Sequence, residues 1–99
     1  MEINKTTDGD TTILSLSGRL DTMTAPQLQE ALAEVMPMAA ITELDFTEID
    51  YVSSAGLRVL LLGEKGAKAS GKKMKLKNVS RDIMEVFEMT GFASILSVE

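Results

Sequence analysis

The 99-residue chain has no cysteine, no histidine and no tryptophan, and only two prolines. Without cysteine, neither a disulfide framework nor a thiolate metal site can form. Without histidine, the commonest general base and the commonest transition-metal ligand are missing together. Any serine nucleophile would have to use lysine as its base, and no supporting constellation is visible. Long apolar runs are also lacking: none approaches the roughly 20 residues needed to span a bilayer. The opening "MEINKTTDGD" has no apolar core of the signal-peptide kind. The expectation is a cytoplasmic protein with no membrane contact. Net positive charge is absent too, and a formal charge of −5 argues against direct nucleic-acid binding, which needs cations to displace counterions from phosphates.

What is present describes an ordinary folded domain. Apolar residues make up 44% of the chain and charged residues 25%, and no tract is biased enough to suggest disorder. The length suits one core, so residues 1–99 are read as one domain. Seven of the ten basic residues fall between Lys65 and Arg81, and the simplest reading of that segment is a solvated face.

Asp8-Gly9-Asp10 separates two β-prone runs and predicts an antiparallel hairpin. Thr24, Pro26 and Gln27 carry the marks of a capped helix start, and Leu28, Leu32 and Val35 give that helix an apolar stripe running toward Met36. "ITELDF" reads as a third strand with Leu44 and Phe46 on one side. The run from Leu57 onward is long enough to be a helix, with Gly63 and Gly66 expected to approach a sheet closely. "KKMKLKNV" alternates lysine with Met74 and Leu76 as a strand should. Ser80 is expected to cap a helix from Arg81 to Thr90 that turns Ile83 and Phe87 inward and stops at Gly91. "ASILSV" is read as a fifth strand, and Met23, Met36 and Met38 as filling the edge of the core. The order β, β, α, β, α, β, α, β predicts an α/β domain: a mixed, mostly parallel sheet of about five strands with an N-terminal antiparallel hairpin and three helices.

Three segments invite a chemical reading. "GAKASGKK", Gly66 to Lys73, approaches a phosphate-binding loop, but Lys73 stands where a serine or threonine would bind magnesium, and the segment leads from helix to strand rather than the reverse. Glu43, Asp45, Glu48 and Asp50 show no convergence of the kind a hard cation needs, so no metal or cofactor is expected. The third is "EIDYVSSAGLRVLLL", where Ser53 and Ser54 precede the long helix and are placed to cap it. Gly56 sits in its first turn, where it forfeits helix propensity, so either something approaches the backbone there or the turn is tightly packed.

"GRLDTMTA", "LDFTEIDYVSSAGLRVLL" and "MTGF" resemble the STAS domain family, and particularly its stand-alone bacterial anti-sigma factor antagonists; the likeness covers nearly the whole chain. The resemblance implies a STAS-like fold that usually carries a final helix, expected here to be missing or very short. It also implies a protein that is substrate and ligand rather than enzyme. In the family, a serine at the start of this helix is phosphorylated by an anti-sigma factor serine kinase and restored by a PP2C-like phosphatase. The unmodified form sequesters the kinase and frees the sigma factor. Laid on this chain, Ser54 takes the phosphoacceptor position, Ser53 replaces the usual aspartate, and Ala55 replaces the second hydroxyl residue. The implied docking face comprises Asp21, Thr24, Ser53, Ser54, Ala55, Gly56 and Arg58. The missing aspartate motivates an alternative: a STAS scaffold or transporter-associated subunit that is never phosphorylated and acts through protein contact alone.

Overall fold

A computed structural model of the protein describes every residue from Met1 to Glu99. Strands β1 (Glu2–Asp8) and β2 (Thr11–Leu20) form the expected antiparallel hairpin, with Asp8 opposite Thr11. Only two residues join them, and Gly9 adopts the positive φ of +63° that so tight a connection requires. Strands β3 (Ile41–Val52) and β4 (Lys73–Lys77) extend the sheet in the order β1-β2-β3-β4, each parallel to its predecessor. Parallel neighbours need crossover connections, which α1 (Ala25–Val35) and α2 (Ser54–Ala69) supply.

The buried strand residues Leu14, Leu16, Leu44, Phe46, Met74 and Leu76 alternate with half-buried or exposed ones, as period-2 patterning dictates. They join Leu28 and Leu32 of α1 and Leu60 of α2 in one core of 21 buried residues. The third helix, α3 (Arg81–Thr90), adds Ile83 and Phe87 to that core. Its start is capped as expected, the Ser80 hydroxyl accepting from the Ile83 N–H at 3.3 Å, and its end is the left-handed Gly91.

The sheet has four strands rather than five. Beyond Gly91 the segment read as a strand winds instead into a short 3-10 turn, Phe92–Ser94, closed by the Leu96 N–H on the Phe92 carbonyl. Winding lets Leu96 reach the core, and only Val98 is left to form a single parallel bridge beside Leu76. Buried Glu64 on α2 accepts from the Ser97 N–H at 3.1 Å and pins this tail.

Three other expectations divide. At Gly63 a Cβ would lie 2.7 Å from Met74 Sδ and 3.2 Å from Leu32 Cδ1, so close approach is real there. At Gly66 a Cβ would meet nothing within 4 Å, because that face of α2 opens on solvent. Gly66→Ala is therefore expected to stabilise the protein by up to about 1 kcal/mol through helix propensity alone, read as a higher urea midpoint at unchanged slope. Met36 packs on the core edge, but Met23 and Met38 do not fill it: they are 86% and 89% exposed, one on the β2–α1 loop and the other in the turn after α1.

Lys72, in the segment that approaches a phosphate loop, directs its ammonium to the Met36 and Pro37 carbonyls at 3.0 and 2.6 Å and closes the end of α1. The neighbouring lysines are partly neutralised, Lys75 by Glu99 and Lys77 by Glu43 and Glu99.

Candidate functional site

Strand β3 determines where the serines emerge. Its pairing with β2 slips twice, between Ser15/Ser17 and between Gly18/Arg19, each time with one extra residue on β3. Buried positions therefore change from alternation at Leu44 and Phe46 to every third residue at Ile49 and Val52. The first irregularity is braced by Asp45, whose carboxylate accepts from the Thr47 hydroxyl at 2.6 Å, the Thr47 N–H at 3.0 Å and the Asn78 amide at 3.0 Å. Hydrogen bonds from the Thr47 and Asn78 side chains and the Thr47 backbone outweigh partial burial and hold the Asp45 carboxyl below its ordinary range.

After the second slip β3 ends opposite Leu20, and the Ser53 N–H donates to the Leu20 carbonyl at 2.9 Å. Ser53 is the N-cap of α2: its backbone is extended and its hydroxyl accepts from the Gly56 N–H at 3.3 Å. Ser54 is the first helical residue and is exposed. The pair thus divides its work, Ser53 turned to the backbone and Ser54 turned outward. Gly56 is buried, and a Cβ there would stand 2.7 Å from Leu20 Cγ and 2.9 Å from the Leu20 carbonyl oxygen. Close packing of the first turn against β2, not local propensity, accounts for that glycine.

The β2–α1 loop borders the same corner. Asp21 Oδ1 accepts from the N–H groups of Met23 and Thr24 at 3.0 and 3.1 Å. Partial burial raises the Asp21 carboxyl, but these bonds, the Thr24 hydroxyl and the Arg19 charge together bring it below its ordinary value. Thr24 stands at the N-cap position of α1 without capping it, and its backbone is already helical there. Its hydroxyl instead accepts from the Asp21 N–H at 2.9 Å and donates to the Arg19 carbonyl at 2.7 Å. The capping box read from Thr24 and Gln27 is replaced by this closed loop, and the Gln27 amide reaches the Met1 carbonyl at 2.9 Å. Asp21 and Thr24 therefore build the rim with polar groups already engaged within the loop.

Two features of the site escaped the sequence. Arg19 lies 4.1 Å from the centre of the Tyr51 ring, the residue opposite it across the β2–β3 pairing, and reaches Asp21 at 3.6 Å. Thr22, Ala25 and Pro26 of the loop and α1 line an open cavity of about 560 Å³ together with Ser54, Ala55 and Arg58 of α2. Of the two slips that lead to the Arg19–Tyr51 pairing, the first has a local cue in the Asp45-x-Thr47 spacing and the second falls at Gly18, whose φ is +103°. No group of three or more acidic side chains gathers as a metal site would require.

The family profile described as "Mlab, STAS domain" matches residues 3–97. BtrV of Bordetella bronchiseptica, provisionally named an anti-sigma factor antagonist, is 38% identical over 87 residues, covering 87% of this chain and 75% of the relative. The anti-sigma-B factor antagonist of Bacillus subtilis is 29% identical over 85 residues, covering 86% and 78%. Among solved structures, the unphosphorylated form of the anti-sigma factor antagonist SpoIIAA superposes with a TM-score of 0.82 at 17% identity, over 99% of this chain and 88% of the other. The phosphorylated form of the Bacillus protein gives 0.76 at 17% identity, over 99% and 91%. At that identity the structural likeness speaks to fold.

Proposed function

We propose, because this chain belongs to the STAS domain family, that it is an anti-sigma factor antagonist whose binding to an anti-sigma serine kinase is switched at Ser54. The observation that carries the reading is the division between the two serines. Ser53 holds the helix start, so Ser54 is free to be modified without dismantling it. Phosphoryl transfer from ATP to Ser54 Oγ would release ADP and the hydroxyl proton, and hydrolysis by a PP2C-like phosphatase would return the serine and inorganic phosphate. The docking face comprises Ser54, Ala55 and Arg58 on α2, with Ser53 and Gly56 supporting them from within and Asp21 and Thr24 shaping the rim. The names of the curated relatives support an antagonist role, and an exposed helix start supports access by a kinase.

Ser53, standing where the family usually has aspartate, favours a second reading in which the same face docks a scaffold or transporter partner and is never modified. One experiment separates the two. The purified protein is incubated with ATP and a cognate anti-sigma factor serine kinase, and phosphate is mapped by mass spectrometry. The switch predicts one phosphate on Ser54 and none on Ser54→Ala. A complex that forms while Ser54 stays unmodified supports the contact-only reading instead.

A further inference from the structure

Arg58 is a cation without a partner beside the phosphoacceptor. The four ion pairs of the protein are made by Arg19, Lys75 and Lys77, and Lys72 is held by two carbonyls. Arg58 is exposed and belongs to none of these. On α2 the residues three and four positions away, where side chains meet on a helix, are Ser54, Ala55, Leu61 and Leu62, none of them acidic. Arg58 is also the single charged residue lining the cavity that it shares with Ser54 and the β2–α1 loop. An internal partner for Arg58 on its own helix appears only when Ser54 gains charge.

We propose that Arg58 is the internal counter-ion of phosphorylated Ser54, an assignment that rests on Ser54 being the regulated residue. The spacing is i,i+4 with the anion nearer the helix N-terminus, which is the favourable orientation for such a pair. A guanidinium fork matches two phosphate oxygens, where an ammonium offers a single point charge. The device gives phosphorylation two effects. It adds negative charge to the docking face, and it withdraws the one cation that lines the cavity.

The test needs no kinase. Phosphoserine is placed at position 54 during synthesis, and the 31P chemical shift is followed against pH in the parent chain, Arg58→Lys and Arg58→Gln. The phosphate is expected to release its second proton at lower pH with arginine than with glutamine, by about 0.3–1 unit, a two- to tenfold change in proton affinity. Lysine should fall between them, and the difference should shrink in 1 M salt as the pair is screened. Melting of the unphosphorylated variants should not differ, because Arg58 is exposed. Superimposable titrations of the parent and Arg58→Gln overturn the pairing and leave the Ser54 reading standing. Absence of kinase modification overturns that reading and leaves the titration result intact.

Discussion

Gly56→Ala is expected to destabilise the protein by about 1–3 kcal/mol, a large effect for a single methyl group. Elsewhere in a helix the same change stabilises, as anticipated for Gly66. The sign reverses because the added Cβ would lie 2.7 Å from Leu20 Cγ and 2.9 Å from the Leu20 carbonyl oxygen. The side chain can turn aside, but the carbonyl is held in place because it receives the Ser53 N–H. Relief requires α2 to lift from β2, and lifting strains the Ser53 hydrogen bonds that present Ser54. Urea titration should show a lower midpoint, and phosphorylation of Ser54 should slow in the folded fraction that remains. Adding Leu20→Ala should recover only part of the clash, since the backbone contact stays and a cavity opens at a fully buried site. A midpoint equal to the parent's would show that the first turn is not packed as described.

Converting Ser54 to phosphoserine, or to glutamate in Ser54→Glu, is expected to weaken binding to the anti-sigma partner by about 100-fold or more while leaving the melting temperature nearly unchanged. The two halves of this prediction have separate causes. Ser54 is exposed in the first turn of α2, where unpaired N–H groups and the helix dipole favour negative charge by about 0.3–1 kcal/mol, so the fold has nothing to lose. At a docking face the same charge, about −1.5 to −2 for a phosphate, must be desolvated or meet a like charge, which costs several kcal/mol. A hundredfold loss corresponds to about 2.7 kcal/mol. Calorimetric titration of the kinase with each form measures the first half, and thermal melting measures the second. Equal affinities would remove Ser54 as the switch, whereas a lower melting temperature would assign the lost binding to unfolding.

The helices were legible because their signals are local. Ser80 and Gly91 lie within a few residues of the backbone groups they satisfy, and Leu28, Leu32 and Val35 repeat at the helical period whatever surrounds them. The hairpin was legible for the same reason, through Gly9. Where local cues misled, a competing group had captured the residue. The Thr24 hydroxyl found the Arg19 carbonyl and the Asp21 N–H in the preceding loop instead of its own helix, and Gln27 found Met1, 26 positions away. The tail read as a fifth strand is composed like one, but burying Leu96 and meeting Glu64 bend it into a turn before the edge of the sheet is reached.

The sequence by itself determined the α/β layering and the order of the elements as far as α3, since each follows from period and punctuation within a short stretch of chain, while its resemblance to the STAS family drew attention to Ser54. Tertiary structure alone decided that Gly56 exists for Leu20, that Arg19 faces Tyr51, and that Arg58 stands unpaired in a cavity shared with Ser54. The first two join residues more than 30 positions apart, and the last needs α1 and α2 set side by side. They depend on the register of β3 against β2, which two slips shift away from simple alternation. Pattern fixes which side of an element is buried; only packing fixes what it is buried against.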